Sequence, residues 1–275
     1  MTGDLHCHSR HSDGSATVES IVSYAVRLGL DYVALTDHDT MAGVDELCER
    51  GRRAGLGTIP GVECSARDGR TGRPVHLLCY LPRNRVVLQA ALDRTLVSRA
   101  ETKWQMVEHI MESYPLTRGD VLRYSRESAS VHEPHIMQAL ADLGYTNTVI
   151  GPLMDELIGK NGSCYVPNVY PEARDIARLI QEAGGIAVVA HPGQFDSLEL
   201  AEELARDGLI GGIECHHPRN SPEVTQKAIA LAARHDLIVT GGSDFHGQFA
   251  KRPHPLGTCV TDGENIRRLL AAAGQ

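Results

Sequence analysis

The chain has 275 residues, 42% of them hydrophobic, and carries 27 Lys and Arg against 35 Asp and Glu, a formal charge of -8. That length suits one barrel-sized α/β domain with an insertion or two smaller domains, and the mean hydropathy of -0.21 is that of a water-soluble globular protein. The acidic balance, without an evident Lys/Arg patch, argues against a polymeric nucleic-acid partner, and no apolar run is long enough to cross a bilayer.

Short apolar runs alternate with helical periodicities from the start. Leu5 to His8 is expected as a strand, Thr17 to Leu28 as a helix, Asp31 to Thr36 as a strand and Met41 to Ala54 as a helix. Thr58 to Cys64 and Val75 to Tyr80 predict two further strands. The rhythm then changes: Val86 to Ser113, Pro134 to Leu143 and Thr148 to Leu157 are helical in period, so residues 84–168 are expected to form an all-helical insertion. Strands follow at Ile186 to Ala190, Gly212 to Cys215, Leu237 to Gly241 and Gly257 to Val260. Helices are expected at Leu198 to Arg206, Pro222 to Arg234 and from Glu264. This alternation predicts a parallel β/α architecture in residues 1–83 and 169–275. The N-terminus shows neither a basic nor an apolar secretory segment. The seven cysteines are scattered, without a CxxC pair, as expected of reduced packing thiols in a cytoplasmic protein.

The 14 histidines are concentrated where these strands end. His6 and His8 stand two apart, on one face of a strand, with Cys7 turned to the opposite layer. Asp13 precedes Gly14 at a tight turn. His38 follows the second strand, Glu63 ends the third, His76 lies in the fourth, His191 closes the fifth, and Asp244 and His246 follow Ile238 to Gly241. One histidine at a strand end is ordinarily a packing residue. Nine imidazoles and carboxylates at successive strand ends would converge on the C-terminal face of a β/α barrel, where such folds keep their active sites. Their nitrogen and oxygen donors suit Mn, Fe or Zn and give no support to a thiolate site.

Asp4-Leu-His6-Cys-His8, Ser12-Asp13-Gly14, Thr36-Asp37-His38-Asp39, Gly61-Val-Glu63, His76-Leu-Leu, His191-Pro192 and Ser243-Asp244-Phe-His246 together resemble the PHP (polymerase and histidinol phosphatase) family. The resemblance implies a distorted (β/α)7 barrel holding three divalent ions (Mn, Fe or Zn). By motif, His6, His8, Glu63 and Asp244 would take one ion, Glu63, His76 and His191 a second, and Asp13, His38 and His246 a third. Pro134-His135-Ile136, Phe245-His246-Gly247 and the stretch Gly159 to Pro167 are similar to the small nucleotide-phosphatase (TrpH-like) subgroup.

That subgroup carries arginines where this chain has Glu133 and Gln138, and arginine forks are the usual grip on phosphate. A less charged phosphodiester with one phosphorus, open or cyclic, therefore fits better than a bisphosphorylated nucleotide, with Arg126 and Lys160 the nearest replacement cations. Ser12, His135, Lys160 and His217 are candidate substrate contacts, and Asp4 a residue that orients a ligand. Glu214 and His216 flank the same region. His11, His109, His132, His235 and His254 are expected at the surface or in packing, and Trp104 and Met106 in the core.

The expected activity is hydrolysis of a small phosphate ester, diester or monoester, by a metal-bridging hydroxide. Alternatives are a 3',5'-bisphosphate nucleotide phosphatase, an oligonucleotide 5'-3' exonuclease and an inactive interaction module. The complete ligand set argues against the last. A C–N hydrolase would call for a strand-end lysine, which the chain lacks.

Overall fold

The computed structural model describes residues 1–274. The barrel half begins β1 (Thr2–Asp4), α1 (Val18–Leu28), β2 (Tyr32–Leu35), α2 (Val44–Ala54), β3 (Gly57–Arg67), β4 (Pro74–Tyr80). Four helices follow: α3 (Arg85–Met111), α4 (Arg118–Ser125), α5 (Glu133–Asp142) and α6 (Pro152–Leu157). The chain then runs α7 (Ala173–Glu182), β5 (Ile186–Val189), α8 (Pro192–Phe195), α9 (Leu198–Arg206), β6 (Gly212–His216), α10 (Pro222–Arg234), β7 (Ile238–Gly241), β8 (Thr261–Asp262) and α11 (Gly263–Ala272).

The eight strands form one sheet in the order β7-β6-β5-β4-β3-β2-β1-β8. Its two edges meet: Leu5 N donates to Gly241 O at 3.3 Å, Asp244 N to His6 O at 2.9 Å and Gly241 N to Thr261 Oγ1 at 2.8 Å. The result is a nearly closed α/β barrel with helices outside. Leu5, Ala34, Ile59, Leu78, Tyr80 and Val188 form one buried cluster, in which the Tyr80 hydroxyl donates to Leu5 O at 2.8 Å.

The barrel is mixed, which corrects the parallel expectation. β4 pairs antiparallel with both β3 and β5, and β8 antiparallel with β1. Only the turn 68–73 separates β3 from β4, too short for the crossover of a dozen or more residues that a parallel return requires. Because β4 runs backwards, its N-terminal part reaches the rim where its neighbours end. His76 lies there, opposite Ser65.

Two strand expectations shift. The ladder of β1 stops at Asp4; Leu5 to His8 continues through a single bridge from Cys7 to Phe245 and the bond Thr36 N to Cys7 O. The last strand is Thr261–Asp262, beyond the expected Gly257 to Val260. The helices α4, α7 and α8 were not anticipated.

Helices α3 to α6 carry their own buried core of Met106, Val107, Ile110, Ile136, Met137 and Leu140, with Trp104 packed against it. Lys103 on α3 is fully buried and pairs with Glu133 Oε1 of α5 at 2.7 Å. Arg99, one turn earlier, reaches Asp39 Oδ2 and Ser65 Oγ on the barrel rim, each at 2.7 Å.

Candidate metal centre

The rim gathers all nine expected residues around Glu63, which is 1% exposed. Its Oε1 lies 2.8 Å from His76 Nδ1 and 2.7 Å from His191 Nε2. Its Oε2 lies 3.1 Å from His6 Nε2, 3.2 Å from His8 Nε2 and 3.3 Å from His38 Nδ1. Asp244 Oδ1 stands 3.2 Å from His8 Nε2 and 3.4 Å from His246 Nδ1. Asp13 meets His246 Nε2 at 3.3 Å and His38 Nε2 at 3.8 Å.

Local backbone conformation aims several of these groups. His191 (φ 24°) and Asp244 (φ 54°) adopt positive φ, sparsely populated for non-glycine residues and costing on the order of 1–3 kcal/mol each. At Gly242 any Cβ would overlap the Cβ and backbone nitrogen of His6, so only glycine lets the end of β7 approach that closely.

Supporting carboxylates fix the rings and loops. Glu214 is fully buried; its Oε1 lies 2.9 Å from His6 Nδ1, and its Oε2 accepts from His191 N at 2.8 Å. With Nδ1–H engaged by Glu214, His6 turns the lone pair of Nε2 to the centre. Asp37 accepts from Ser9 N and Ser9 Oγ, each at 2.7 Å, and from Ser12 Oγ at 2.6 Å. Ser12 thus braces the turn bearing Asp13. Asp4 accepts from His6 N, Ser243 N and Gly257 N, holding two rim loops together.

The electrostatics follow from burial and opposed charge. Burial works against the Glu63 carboxylate, yet the surrounding imidazoles, His6 foremost, hold it well below the usual range. Burial likewise opposes a charged His8, but Asp244 and Glu63 lift it to about 10. His191 goes the other way: burial pushes it down to about 4 despite Glu63.

Divalent ions fit these residues. Buried His6 Nε2, both nitrogens of His8, His38 Nδ1 and His191 Nδ1 have no hydrogen-bond partner, a costly arrangement unless a cation takes the lone pairs. Ligand atoms of His6, His8, Glu63 and Asp244 lie within 4.8 Å of one another, as do those of His8, Asp13, His38 and His246, and of His38, Glu63 and His76. Cys7 is buried among α1 residues, away from this cluster.

His217 is of another kind. Its Nδ1 accepts from Arg219 N at 3.1 Å, so the neutral ring carries its proton on Nε2. That nitrogen is buried, lacks a hydrogen-bond partner, and stands 3.5 Å from Asp244 Oδ2. His216 is exposed and His109 lies on the surface of α3. His132, expected at the surface or in packing, is 1% exposed, and its ring lies 6.1 Å from that of His38 with the planes inclined by 24°. The spacing His132-x-x-His135 across a helix start is the signal the sequence offers for it.

Of the two positions implied to be arginine, Glu133 turns to Lys103, while Gln138 lines a cavity with His135 and Arg126. Arg10 and Arg123 line that cavity as well, so cations are more numerous here than expected. Lys160 is exposed and is absent from that lining.

A nearly closed β/α barrel with a rim of imidazoles around shared carboxylates defines a metal-dependent hydrolase. The sequence profile of the PHP domain matches residues 4–186. A phosphoribosyl 1,2-cyclic phosphate 1,2-diphosphodiesterase of Eggerthella lenta is 38% identical over 256 residues, 92% of this chain and 97% of that protein. A 3',5'-nucleoside bisphosphate phosphatase of Chromobacterium violaceum is 31% identical over 250 residues, 88% of this chain and 86% of that protein. A crystal structure from Bifidobacterium adolescentis, assigned to the metal-dependent phosphoesterases, superposes with a TM-score of 0.90 at 33% identity, covering 98% of this chain and 96% of that one. The chain belongs to the PHP family and is a metal-dependent phosphoesterase.

Proposed function

We propose that the enzyme hydrolyses a small phosphodiester, open or cyclic, and the monoester that a cyclic diester yields, with three divalent ions (Mn, Fe or Zn). The carrying observation is the set of orphaned imidazole nitrogens around Glu63, Asp244 and Asp13. His6, His8, Glu63 and Asp244 would hold one ion, Glu63, His76 and His191 a second, and Asp13, His38 and His246 a third. Such ions supply a water nucleophile ionised near neutral pH and neutralise charge on the phosphoryl oxygens.

The chain's own groups do the rest. Glu63 offers an oxygen to each of two ion positions. Glu214 keeps His6 in the ligating tautomer. His217 presents Nε2–H from a buried position to a phosphoryl oxygen, an oxyanion-type contact. Residues 84–168 form the cap over the substrate, with His132 and His135 at its inner edge. The likeness to the Eggerthella lenta diphosphodiesterase favours the cyclic diester over a bisphosphate monoester. All seven cysteines are unpaired, which suits the reducing cytoplasm, where we place the enzyme.

The test is turnover, with Mn present, of matched panels of cyclic diesters, open diesters, monoesters and a single-stranded oligonucleotide. Cyclic and open diesters are expected to turn over fastest. Activity confined to monoesters or to the oligonucleotide would refute the diester reading.

A further inference from the structure

We propose that His132, contributed by the helical insertion, is a catalytic residue whose Nε2–H donates a hydrogen bond to the leaving oxygen of the scissile ester. This rests on the phosphodiester reading and adds to it the group that meets the departing alcohol.

The segment before α5 is fastened to the turn that bears Asp13. Ala129 N donates to His11 O at 2.9 Å, and Ser128 Oγ donates to Ser12 O at 2.7 Å. On the other side, Ser130 Oγ donates to Leu96 O of α3 at 3.1 Å. Pinned to both, the chain delivers His132 to the edge of the metal centre. Its ring centre lies 6.1 Å from that of His38, and Asp13 is near enough for each group's charge to bear on the other.

Neither the fold nor the candidate ion sites use its Nε2. That nitrogen is buried without a hydrogen-bond partner, a costly state unless a ligand completes it. Among the described residues, no cluster of ligand atoms able to hold an ion includes His132. The ring's other nitrogen is engaged: His132 and His135 cap the start of α5 reciprocally, the His132 side chain accepting from His135 N. Because Nε2 is unpartnered, Nδ1 is the accepting atom, and the neutral ring carries its proton on Nε2. Burial and the Arg99 guanidinium hold the ring neutral, so it donates a hydrogen bond and surrenders no proton.

Position separates this donor from His217. His217 stands beside His6 and His191, with ring centres 5.7 and 5.0 Å away, at the two candidate ion positions that share Glu63. His132 stands beside His38, at the third. In an in-line displacement the entering and leaving oxygens lie on opposite sides of phosphorus. A water oxygen that enters from the Glu63 side leaves the departing oxygen on the side of His38 and His132. Room for the alcohol lies there too. His135, 5.7 Å from His132 ring to ring, lines a cavity of about 480 Å³ together with Gly14 and Ser15. As the water oxygen bonds to phosphorus, the ester P–O bond breaks and the departing oxygen keeps its electron pair. The entering water loses a proton to solvent, and the departing oxygen gains one from it. The His132 hydrogen bond stabilises the charge that builds on that oxygen meanwhile.

Two variants separate the donor from the cap. His132→Asn keeps a side-chain acceptor at the N-cap and removes the Nε2 donor; His132→Gln places an amide N–H where Nε2 stood. Both are assayed with Mn on thymidine 5'-(4-nitrophenyl phosphate) and thymidine 5'-(phenyl phosphate). Nitrophenolate spreads its own charge onto the nitro group, whereas phenolate depends on outside donors. His132→Asn is expected to lower kcat/KM about 10²-fold on the phenyl ester but no more than about three-fold on the nitrophenyl ester, and His132→Gln to recover about ten-fold on the former. Ions bound per chain, by elemental analysis, and Tm are expected to match wild type. Equal losses on the two esters, no loss on either, or a lost ion overturns the inference and leaves the diester reading standing. If wild type turns over neither diester, the diester reading fails. The same comparison on 4-nitrophenyl phosphate and phenyl phosphate then decides the role of His132 by the same criteria, and turnover of none of the four esters overturns it.

Discussion

What each buried imidazole can do is decided by what touches its far nitrogen. His6 and His217 lie 5.7 Å apart, ring centre to ring centre, and both are buried. A carboxylate behind His6 draws the proton away from the centre and leaves a lone pair facing in. A backbone N–H behind His217 forces the proton inward and leaves a donor. So His217→Ala should lower kcat about 10²-fold, the usual cost of losing one oxyanion donor, while ions bound per chain stay constant by elemental analysis. His217→Gln, which keeps an N–H, should recover part of the rate. Loss of one ion in the Ala variant would instead make His217 a ligand. Glu214, three residues earlier on β6, is visible in the sequence only as a polar residue beside a strand. Nothing short of the fold shows that its two oxygens brace His6 and the backbone of His191.

At the scale of elements, the legible features were those with strong local signals. Thr17 caps α1 through Ser20 N, and α9 and α10 follow their periodicity to the residue. The direction of β4 was not read, although the short turn after Arg67 requires it; His76 therefore reaches the rim from the start of its strand rather than the end. Glu133 shows a different limit. Compared position by position, it replaces an expected phosphate-binding arginine. In the structure it neutralises Lys103, which no periodicity marks as buried within α3.

Burial would raise the Glu133 carboxyl, but Lys103 overrides it and holds it at about 2, below its ordinary 4.5. A depressed carboxylate contributes stability above its unfolded pKa and loses it as pH falls through the folded one. This contact should therefore weaken between pH 4.5 and about 2. Glu133→Gln, which strands the buried ammonium, should cost roughly 3 kcal/mol at pH 7 and flatten that part of the acid limb. Urea melts of both proteins at pH 7 and pH 3 measure this. Equal stability at pH 7 would show that the pair does not hold α3 to α5.

At the scale of the molecule, the barrel closes around a cluster that its own residues leave unsatisfied. The segments after β1, β2, β5 and β7, the middle of β3 and the start of β4 bring nine ligand candidates to one rim. Three of the orphaned nitrogens, His6 Nε2, His8 Nε2 and His38 Nδ1, face Glu63 Oε2 at 3.1 to 3.3 Å. Ions that bind this arrangement and not the unfolded chain must stabilise the fold. At free concentrations of about 1,000 Kd each site adds roughly 4 kcal/mol. In a chain of this size 1 kcal/mol moves Tm by about 2–4 °C, so one site alone is worth on the order of 10 °C. Stripping the enzyme with a chelator should lower Tm by at least that much, and Mn should restore it. Asp13→Asn removes a donor from one candidate set only, so that variant should bind fewer ions and recover a smaller part of the shift. An Asp13→Asn enzyme with wild-type ion content and a full Mn-dependent rise in Tm would take Asp13 out of the centre and leave His38 and His246 with only Glu63 and Asp244 as acidic neighbours.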